Sequence, residues 1–576
     1  MITRFNRHRL QLLWCAAAAW CAVLLVVYLP GISGPLFYDD VAPLNRLAEI
    51  ERLWSQQALY FVLGEISGPL SRPVAMLSFL PHFDGWPETL PSLLRVNVLI
   101  HFCNGLLVFI LAWQLLALRP VPKVQPLWGV AAIAAVLWLT LPIHAAAVLI
   151  PIQRMALLST TFVLLGVVGY LAGLHLQVRG YYRSTDVQLA AVLVCLTLAV
   201  LSKENGVLLL VLLLVMELTV LQRVPELRRY RWARVGVLAL ASLAIIGYVL
   251  RRLINNPLET LAGRDFSVLE RLATQPLVIL DYLRQSFVPH WQTITPFQDH
   301  WRALDLAQLW GLPGLALLVM LSWLIIAVAA RRHWPWFAFG SLWFFGAQLL
   351  ESTTIGLELS FLHRAYLPLV GLAVLLAVGC GQLFTWAGKR RPLVAVVLVA
   401  YLGVLGLTLA NITLNWGKPE QAAQVWFDAR PASARAAVHL IHQLRANERD
   451  PDVLEILEHH LDHCPDCLLT RSLALSVSCQ TGNNAAVRRH YTALLDWAPQ
   501  RNSLRNVGNM IVNYHSALNN EHCAPGSEYT AYALLEEIIA TRTRNDRITR
   551  ELQNRLDLLY LIDSEFGAGM ELLLTR

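Results

Sequence analysis

Charged residues are scarce in this chain. Only 15% of its 576 residues are Asp, Glu, Lys or Arg, whereas about 25% is usual in soluble domains. This scarcity excludes a disordered chain, which needs high charge and few apolar residues. With 32 Gly, 28 Pro and 9 Cys, the chain is also neither collagenous nor a small disulfide scaffold. The hydrophobic share of 56% and the mean hydropathy of +0.50 instead predict a membrane protein.

Eleven apolar stretches are candidates for membrane spans, which need about 20 residues each. We interpret the first as an uncleaved span and not as a signal peptide, because it is long and its end, Leu29-Pro30-Gly31, is a poor cleavage site. The predicted spans are 11–29, 96–118, 127–142, 156–177, 187–201, 206–221, 235–250, 311–330, 336–350, 365–387 and 393–414.

Basic residues occur in alternate connections of these spans, on the side of the N-terminus. They are Arg119 and Lys123; Arg179 and Arg183; Arg223, Arg228, Arg229, Arg231 and Arg234; Arg331 and Arg332; and Lys389, Arg390 and Arg391. Positive charge marks cytoplasmic loops, so we predict a multi-pass protein of the cytoplasmic (inner) membrane with a cytoplasmic N-terminus. The predicted outer segments are 31–94, 143–155, 202–205, 251–310, 351–363 and the tail after Trp416.

The composition changes at the end of the last span, which predicts two domains, 1–416 and 417–576. The tail has 16 basic and 20 acidic residues, so its net charge is −4 and the rest of the chain carries +11. The basic excess therefore reflects topology and gives no reason to expect a nucleic-acid partner. Pro431, Pro465 and Pro499 are spaced by 34 residues among amphipathic helices, which resembles tetratricopeptide repeats. The alternative is an irregular helical domain in which these prolines end helices.

Cysteines follow the same division. Cys15, Cys21, Cys103, Cys195 and Cys380 lie in apolar spans, where a thiol behaves as a small hydrophobe. The tail contains Cys464, Cys467, Cys479 and Cys523, which in an oxidising compartment could form two disulfides, with three connectivities open. Cys464-Pro-Asp-Cys467 also resembles a redox or zinc motif, but no βαβ pattern surrounds it and no second pair lies nearby in sequence, so structural disulfides are favoured.

Ionisable and polar residues concentrate in the predicted outer segments or at the adjoining helix ends. Such residues are costly near lipid, so they are functional candidates. Each has a structural alternative: a helix cap for Asp39-Asp40, a local ion pair for Lys203-Glu204, and packing for the helix face that carries Asn97, His101 and Asn104. The candidates are Asp39, Asp40, Arg72, His101, His144, Arg154, Lys203, Glu204, Glu351, His363 and Arg364.

This set of side chains suits a lipid-linked phosphate. Arg and Lys would hold the phosphate, and a carboxylate would act as general base on an incoming hydroxyl. Paired acids could also hold Mg²⁺ or Mn²⁺, so the metal question stays open at this point.

The order of these motifs resembles the C-type glycosyltransferases. Asp39-Asp40, Ser71-Arg72-Pro73, the His144 to Arg154 turn and Lys203-Glu204-Asn205-Gly206 are similar to the membrane region of transmembrane O-mannosyltransferases that carry tetratricopeptide repeats. The stretch from Glu351 to Pro368 is similar to bacterial pilin glycosyltransferases of the TfpW kind. The resemblance implies an all-α fold, in which a polytopic helical bundle precedes a soluble repeat domain.

The resemblance also implies a transferase that moves a sugar from a polyprenyl phosphate to a Ser or Thr of an exported protein, or to a glycan, outside the membrane. Asp39 matches the general base and Asp40 its acidic neighbour, although related enzymes have Glu, which leaves their relative roles open. Arg72, Arg154, Lys203 and Arg364 would bind the donor phosphate. His101, His144, Glu204, Glu351 and His363 would support the site. No metal or other cofactor is firmly implied.

Two other classes compete with this interpretation. One is an oligosaccharyltransferase or O-antigen-type ligase with a pyrophosphate-linked donor, which usually depends on a very large late outer loop. The other is a non-catalytic membrane scaffold or transporter whose tail binds a protein partner. Against a transporter, the sequence shows no repeated halves, and its charges gather at one face and not at mid-membrane.

Overall fold

A computed structural model describes residues 18–64, 70–118, 127–258, 261, 264–446, 451–497, 507–518, 523–526, 528–541 and 547–563. Every regular element in these ranges is helical, which confirms the all-α prediction. The chain divides into two compact units. The membrane unit comprises 1–257, 268–296 and 304–422, and the tail unit comprises 258–267, 297–303 and 423–576. Two segments of the predicted 251–310 loop thus belong to the tail unit.

Seven helices of the described chain are long and apolar enough to cross a membrane. They coincide with seven of the predicted spans and are Leu90–Leu118, Pro151–Val178, Ser184–Ser202, Pro225–Arg251, Leu312–Ala330, Pro368–Trp386 and Gly388–Trp416. Their length follows from long runs rich in Leu, Val and Ala, since a helix of about 20 residues matches the thickness of the hydrocarbon core. The chain is therefore a multi-pass membrane protein.

The other predicted spans differ from continuous helices. The 127–142 stretch forms α6 (Leu127–Thr140) and bends by 54° into Pro142–Val148, where Pro142 cannot continue the hydrogen-bond ladder. The stretches 206–221 and 336–350 form the shorter helices α10 (Leu209–Leu218) and α14 (Pro335–Ala347). The first stretch is described only from Ala18, as α1 (Ala18–Ser33). The total of eleven spans stays a prediction.

The α-helices within the seven spans are labelled by their own bounds. They are α5 (Leu90–Leu118), α8 (Arg154–Val178), α9 (Ser184–Ser202), α11 (Arg228–Asn255), α13 (Leu312–Ala330), α15 (Pro368–Trp386) and α16 (Arg391–Trp416). The predicted outer segments add α2 (Tyr38–Leu44), α3 (Gln56–Leu63), α4 (Pro73–Leu77), α7 (Ala145–Val148) and α12 (Val268–Phe287). Asp39 and Asp40 lie in α2, and Arg72 and His144 directly precede α4 and α7.

The tail unit is a series of short amphipathic helices. They are α17 (Pro419–Ala429), α18 (Ala434–Ala446), α19 (Pro451–His463), α20 (Leu468–Gln480), α21 (Asn484–Trp497), α22 (Val507–Leu518), α23 (Ala531–Thr541) and α24 (Arg547–Asp563). Pro431 and Pro465 follow the ends of α17 and α19, as expected for residues that end helices. Pro499 lies outside the described residues. The tetratricopeptide character of this series remains a prediction.

Candidate functional site

Asp39 and Asp40 lie in the first turn of α2 but differ in environment. Asp39 is exposed, whereas Asp40 is fully buried. The Asp40 carboxylate accepts backbone N–H bonds from Phe37 and Ile152, each at 2.8 Å. Burial raises the pKa of Asp40 to about 7, although both hydrogen bonds oppose this shift. Asp40 thus caps α2 and ties the first predicted outer segment to the second.

Arg72 lies in an unusual backbone segment. Ser71 and Arg72 are the non-glycine residues of the described chain with positive φ, at 57° and 46°. This region is unfavourable for residues that have a Cβ atom, and such strain tends to persist at functional sites. The conformation carries the Arg72 guanidinium to Glu204, where Nη2 lies 2.9 Å from Oε2 and Nε donates to both carboxylate oxygens.

Lys203 lies in the turn between α9 and α10. Its Nζ is 2.5 Å from Oε1 of Glu351, and both side chains are mostly buried. Gly206 shapes this turn, because a Cβ at that position would lie 2.4 Å from the carbonyl carbon of Ala199 in α9. The turn can therefore pack against α9 only with glycine at this position. Lys203 and Glu204 consequently point their charges at two different segments of the chain.

His363 and Arg364 lie in the short helical turn that precedes α15. The pKa of His363 is well below its usual value because of burial and the nearby charges of Lys203, Arg364 and Arg72. Among the described residues, the Arg364 guanidinium donates to two backbone carbonyls, of Glu358 at 2.6 Å and of Leu359 at 3.4 Å. Burial and these three cationic side chains together disfavour the protonated form of the His363 imidazole.

These six residues form one group, which we call the loop cluster: Arg72, Lys203, Glu204, Glu351, His363 and Arg364. Burial lowers the pKa of Lys203, and the positive charges of Arg72 and Arg364 contribute, while the partner carboxylate of Glu351 opposes the shift. The cluster contains two guanidinium groups, one lysine amine and two carboxylates. All six residues are among the sequence candidates, and they come from three predicted outer segments or the adjoining helix end.

Arg271 organises one of these segments, and the sequence did not identify it as a site residue. It is fully buried in α12, and its guanidinium donates to the carbonyls of Glu351, Thr353, Leu357 and Glu358 at 2.5–3.0 Å. A buried guanidinium is stable only when its donors are satisfied. Arg271 thereby holds the 351–358 loop in shape. In the sequence, Arg271 is one of several charged residues of the predicted 251–310 outer segment, and nothing there distinguishes it from a solvated charge.

Arg154 differs from the predicted phosphate ligand. Its guanidinium is fully buried and donates to Asn97 Oδ1 and to the carbonyls of Ser78 and Leu93 at 2.6–2.7 Å. The ring of Phe79 covers it at 4.6 Å. Nε and both terminal nitrogens of Arg154 therefore have partners inside the protein. The structure thus favours a packing role for Arg154, and Asn97 shares that role.

His101 and His144 lie in a buried aromatic group with Trp138 and Tyr366. The Nδ1 atom of His101 is 2.8 Å from the Tyr366 hydroxyl, and Asn104 also donates to that hydroxyl at 3.3 Å. The ring centroids of His144 and Tyr366 are 4.8 Å apart. Because Tyr366 follows Arg364 by two residues, this group anchors the turn that carries His363 and Arg364. Through Tyr366, these histidines support the turn that carries His363 and Arg364 of the loop cluster.

A second buried group of charges lies at the other end of α8, which we call the Glu217 cluster. Glu217 is fully buried, and its Oε1 lies 2.7 Å from Arg234 Nε and 2.6 Å from the Tyr170 hydroxyl. Arg234 also donates to Gln177 and to the carbonyl of Leu227. The group thus satisfies the buried carboxylate completely from neighbouring helices.

The described residues define a helical, multi-pass membrane protein with a cationic cluster formed by loops between helices. The chain matches no protein-family model, no curated protein and no solved structure. The assignment of function therefore depends on the loop cluster itself.

Proposed function

We propose that the protein is a membrane glycosyltransferase that takes a sugar from a polyprenyl-phosphate donor and delivers it to a hydroxyl of an exported protein or of a glycan. The observation that supports this most strongly is the loop cluster, where segments far apart in sequence bring Arg72, Lys203 and Arg364 together. Cations that are held in place by neighbouring carboxylates need little rearrangement when an anion binds. The resemblance to C-type glycosyltransferases supports the same conclusion.

The charge balance of the loop cluster favours a phosphodiester donor. Three cations against Glu204 and Glu351 leave one net positive charge, which matches the single negative charge of a sugar–phosphate–lipid diester. A pyrophosphate-linked donor carries one more negative charge and would be less well neutralised. When the sugar leaves, the remaining phosphate monoester gains negative charge, and the same cations stabilise it.

Asp39 is the residue that we assign as general base. The acceptor hydroxyl gives its proton to the Asp39 carboxylate, the hydroxyl oxygen bonds to the anomeric carbon, and the bond between that carbon and the phosphate oxygen breaks. The sugar is transferred with inversion, and the polyprenyl phosphate leaves. Exposure makes Asp39 accessible to an acceptor, whereas the Asp40 carboxylate is engaged by the amides of Phe37 and Ile152. Asp40 then positions the turn that carries the base.

Replacement of the base tests the proposal directly. We expect Asp39→Asn to lower the rate of sugar transfer by about 10²–10⁴-fold, since general-base catalysis contributes that much. The measurement is transfer from a lipid-linked radiolabelled sugar, followed by mass spectrometry of exported proteins from cells with and without the gene. Asp186→Asn, an exposed carboxylate at the start of α9, serves as the matched control. Full transfer by Asp39→Asn would overturn this mechanism.

The orientation belongs to the same proposal. We infer that the N-terminus is cytoplasmic, that the protein lies in the inner membrane, and that the loop cluster and the tail are periplasmic. A cysteine-accessibility experiment at exposed Trp54, with Trp54→Cys and a membrane-impermeant maleimide, tests this orientation. Labelling of intact spheroplasts supports it, and labelling only after lysis contradicts it.

Deletion of the tail separates a transferase, which should keep transfer to a small acceptor, from a scaffold, which should lose all function.

A further inference from the structure

The turn between α19 and α20 carries a disulfide between cysteines that are three residues apart. Cys464 and Cys467 are bonded, with their Cα atoms 5.4 Å apart. Cys464 is fully buried, whereas Cys467 is partly exposed and is the N-terminal cap residue of the 13-residue helix α20. An attacking group can therefore reach only one of the two sulfurs easily.

A cation lies directly against this disulfide. Arg302 Nη2 is 2.7 Å from Sγ of Cys464 and 3.9 Å from Sγ of Cys467. The two oxygens of Asp466 hold the guanidinium in place at 2.7 Å. A fixed positive charge near a sulfur stabilises its thiolate and hence the reduced form of the pair.

A buried histidine completes the surroundings. A ring nitrogen of His460 and the two Sγ atoms all lie within 4.8 Å of one another. The His460 ring is fully buried, and its Nδ1 is 2.7 Å from the carbonyl oxygen of Pro431, so Nδ1 is the donor and Nε2 carries the lone pair. Nε2 has no hydrogen-bond partner within the described part of the chain. The imidazole can thus take up or return a thiol proton.

The second disulfide of the tail is built differently. Cys479 and Cys523 are separated by 44 residues, and Cys479 belongs to the hydrophobic core of α20 to α24. A long closed loop removes much chain entropy from the unfolded state, whereas the three-residue separation of the first pair removes little. The Cys479–Cys523 bond therefore suits a structural role. The Cys464–Cys467 bond closes a loop too small to stabilise the fold in the same way.

We propose that Cys464–Cys467 is a redox-active disulfide that exchanges with a dithiol of a polypeptide. A substrate thiolate attacks Sγ of Cys467, a new disulfide bond forms, and the Cys464–Cys467 bond breaks. Cys464 leaves as a thiolate beside Arg302 and takes a proton through His460. The second substrate thiolate then attacks the mixed disulfide and releases Cys467. The substrate dithiol loses two electrons and two protons, and the Cys464–Cys467 pair gains them.

Reductive titration of the full chain in detergent tests the proposal. Samples are equilibrated at stepped ratios of reduced to oxidised dithiothreitol, alkylated and digested, and each cysteine is followed by mass spectrometry. We expect Cys464–Cys467 to be half reduced at a ratio at least about tenfold lower than Cys479–Cys523. Arg302→Gln should raise that ratio, and Arg488→Gln, whose side chain contacts Pro525, should not. Reduction of both pairs at the same ratio would overturn the proposal.

Single-cysteine variants test the direction of attack. In Cys464→Ser the remaining Cys467 should form a mixed disulfide with an aromatic disulfide reagent at least about tenfold faster than Cys464 does in Cys467→Ser, because only Cys467 is exposed. Equal rates would contradict the assignment. A reduced wild-type chain that retains one zinc ion through dialysis, and that fails to reoxidise with oxidised dithiothreitol, would also overturn it and indicate a metal site.

Discussion

The two groups of buried charges near the ends of α8 show two ways of accommodating charged side chains in a membrane protein. In the Glu217 cluster, the carboxylate is fully enclosed by Arg234 and Tyr170 from neighbouring helices. In the loop cluster, the Arg72–Glu204 pair is about a quarter to a third exposed, with side-chain values of 24% and 31%. The first group has closed contacts and equal charges. The second has three cationic side chains against two carboxylates, and its Arg72–Glu204 pair has access to solvent, as a binding site needs.

The largest effect on stability should come from breaking the closed group. Glu217→Gln leaves the Arg234 guanidinium buried without its counter-ion, and we expect a loss of about 3–5 kcal/mol in the free energy of unfolding. Thermal unfolding in detergent measures this loss. The control is Asp186→Asn, which breaks an ion pair whose side chains are 71% and 68% exposed and should cost less than about 1 kcal/mol. Similar losses for the two variants would remove the distinction between closed and open ion pairs.

The open group should respond in activity more than in stability. Lys203→Met removes a cation from the proposed phosphate site, and we expect transfer to fall about 10²–10³-fold. It also leaves Glu351 without its partner, so the double variant Lys203→Met/Glu351→Gln should recover stability. Donor-dependent transfer and thermal unfolding are measured on all three variants. Recovery of transfer in the double variant would show that the pair is structural, as Glu217–Arg234 is.

A smaller, pH-dependent effect should come from Asp40. Because the folded state raises its pKa to about 7, above the unfolded value of about 3.9, its contribution to stability is full below about pH 4. That contribution is lost as pH rises toward 7, since only the unfolded state has then released the proton. Asp40→Asn removes this titration and leaves a backbone amide without its acceptor, at a cost of about 1–3 kcal/mol.

Unfolding of Asp40→Asn and of the unchanged protein at pH 5 and pH 7.5 checks this expectation. The stability difference between them should shrink as the pH rises, because only the unchanged protein loses free energy of unfolding as Asp40 becomes ionised. A constant difference at both pH values would contradict a raised pKa. Sugar transfer by Asp40→Asn should persist, and this separates Asp40 from Asp39.

Much of the fold follows from local patterns. Long apolar runs predicted seven spans at their observed places, because length and hydrophobicity suffice for a membrane helix. Prolines marked several ends, and the tail disulfides formed one of the three possible pairings. The bend after Thr140 and the shortness of α14 were not predicted, because apolar runs do not reveal where a helix breaks.

The candidate site was predictable only as a set. One-sided placement selected all members of the loop cluster, yet it also selected Arg154, His101 and His144, which the structure places in buried packing. Hydropathy and spacing cannot distinguish a cation that stays partly exposed, as Arg72 does, from one that is fully buried, as Arg154 is. Arg271 was missed for the same reason: its four carbonyl partners come from a distant loop.

The sequence by itself determined that this protein is helical and repeatedly membrane-spanning, and it predicted that polar residues concentrate in alternate connections. These properties depend on residue composition and on helix length, which are local. Only the tertiary structure decided that Arg72 meets Glu204, that Lys203 meets Glu351, and that Asp40 is locked while Asp39 is exposed. Those outcomes depend on contacts between residues far apart in the chain, where burial and partner geometry decide what each charge can do.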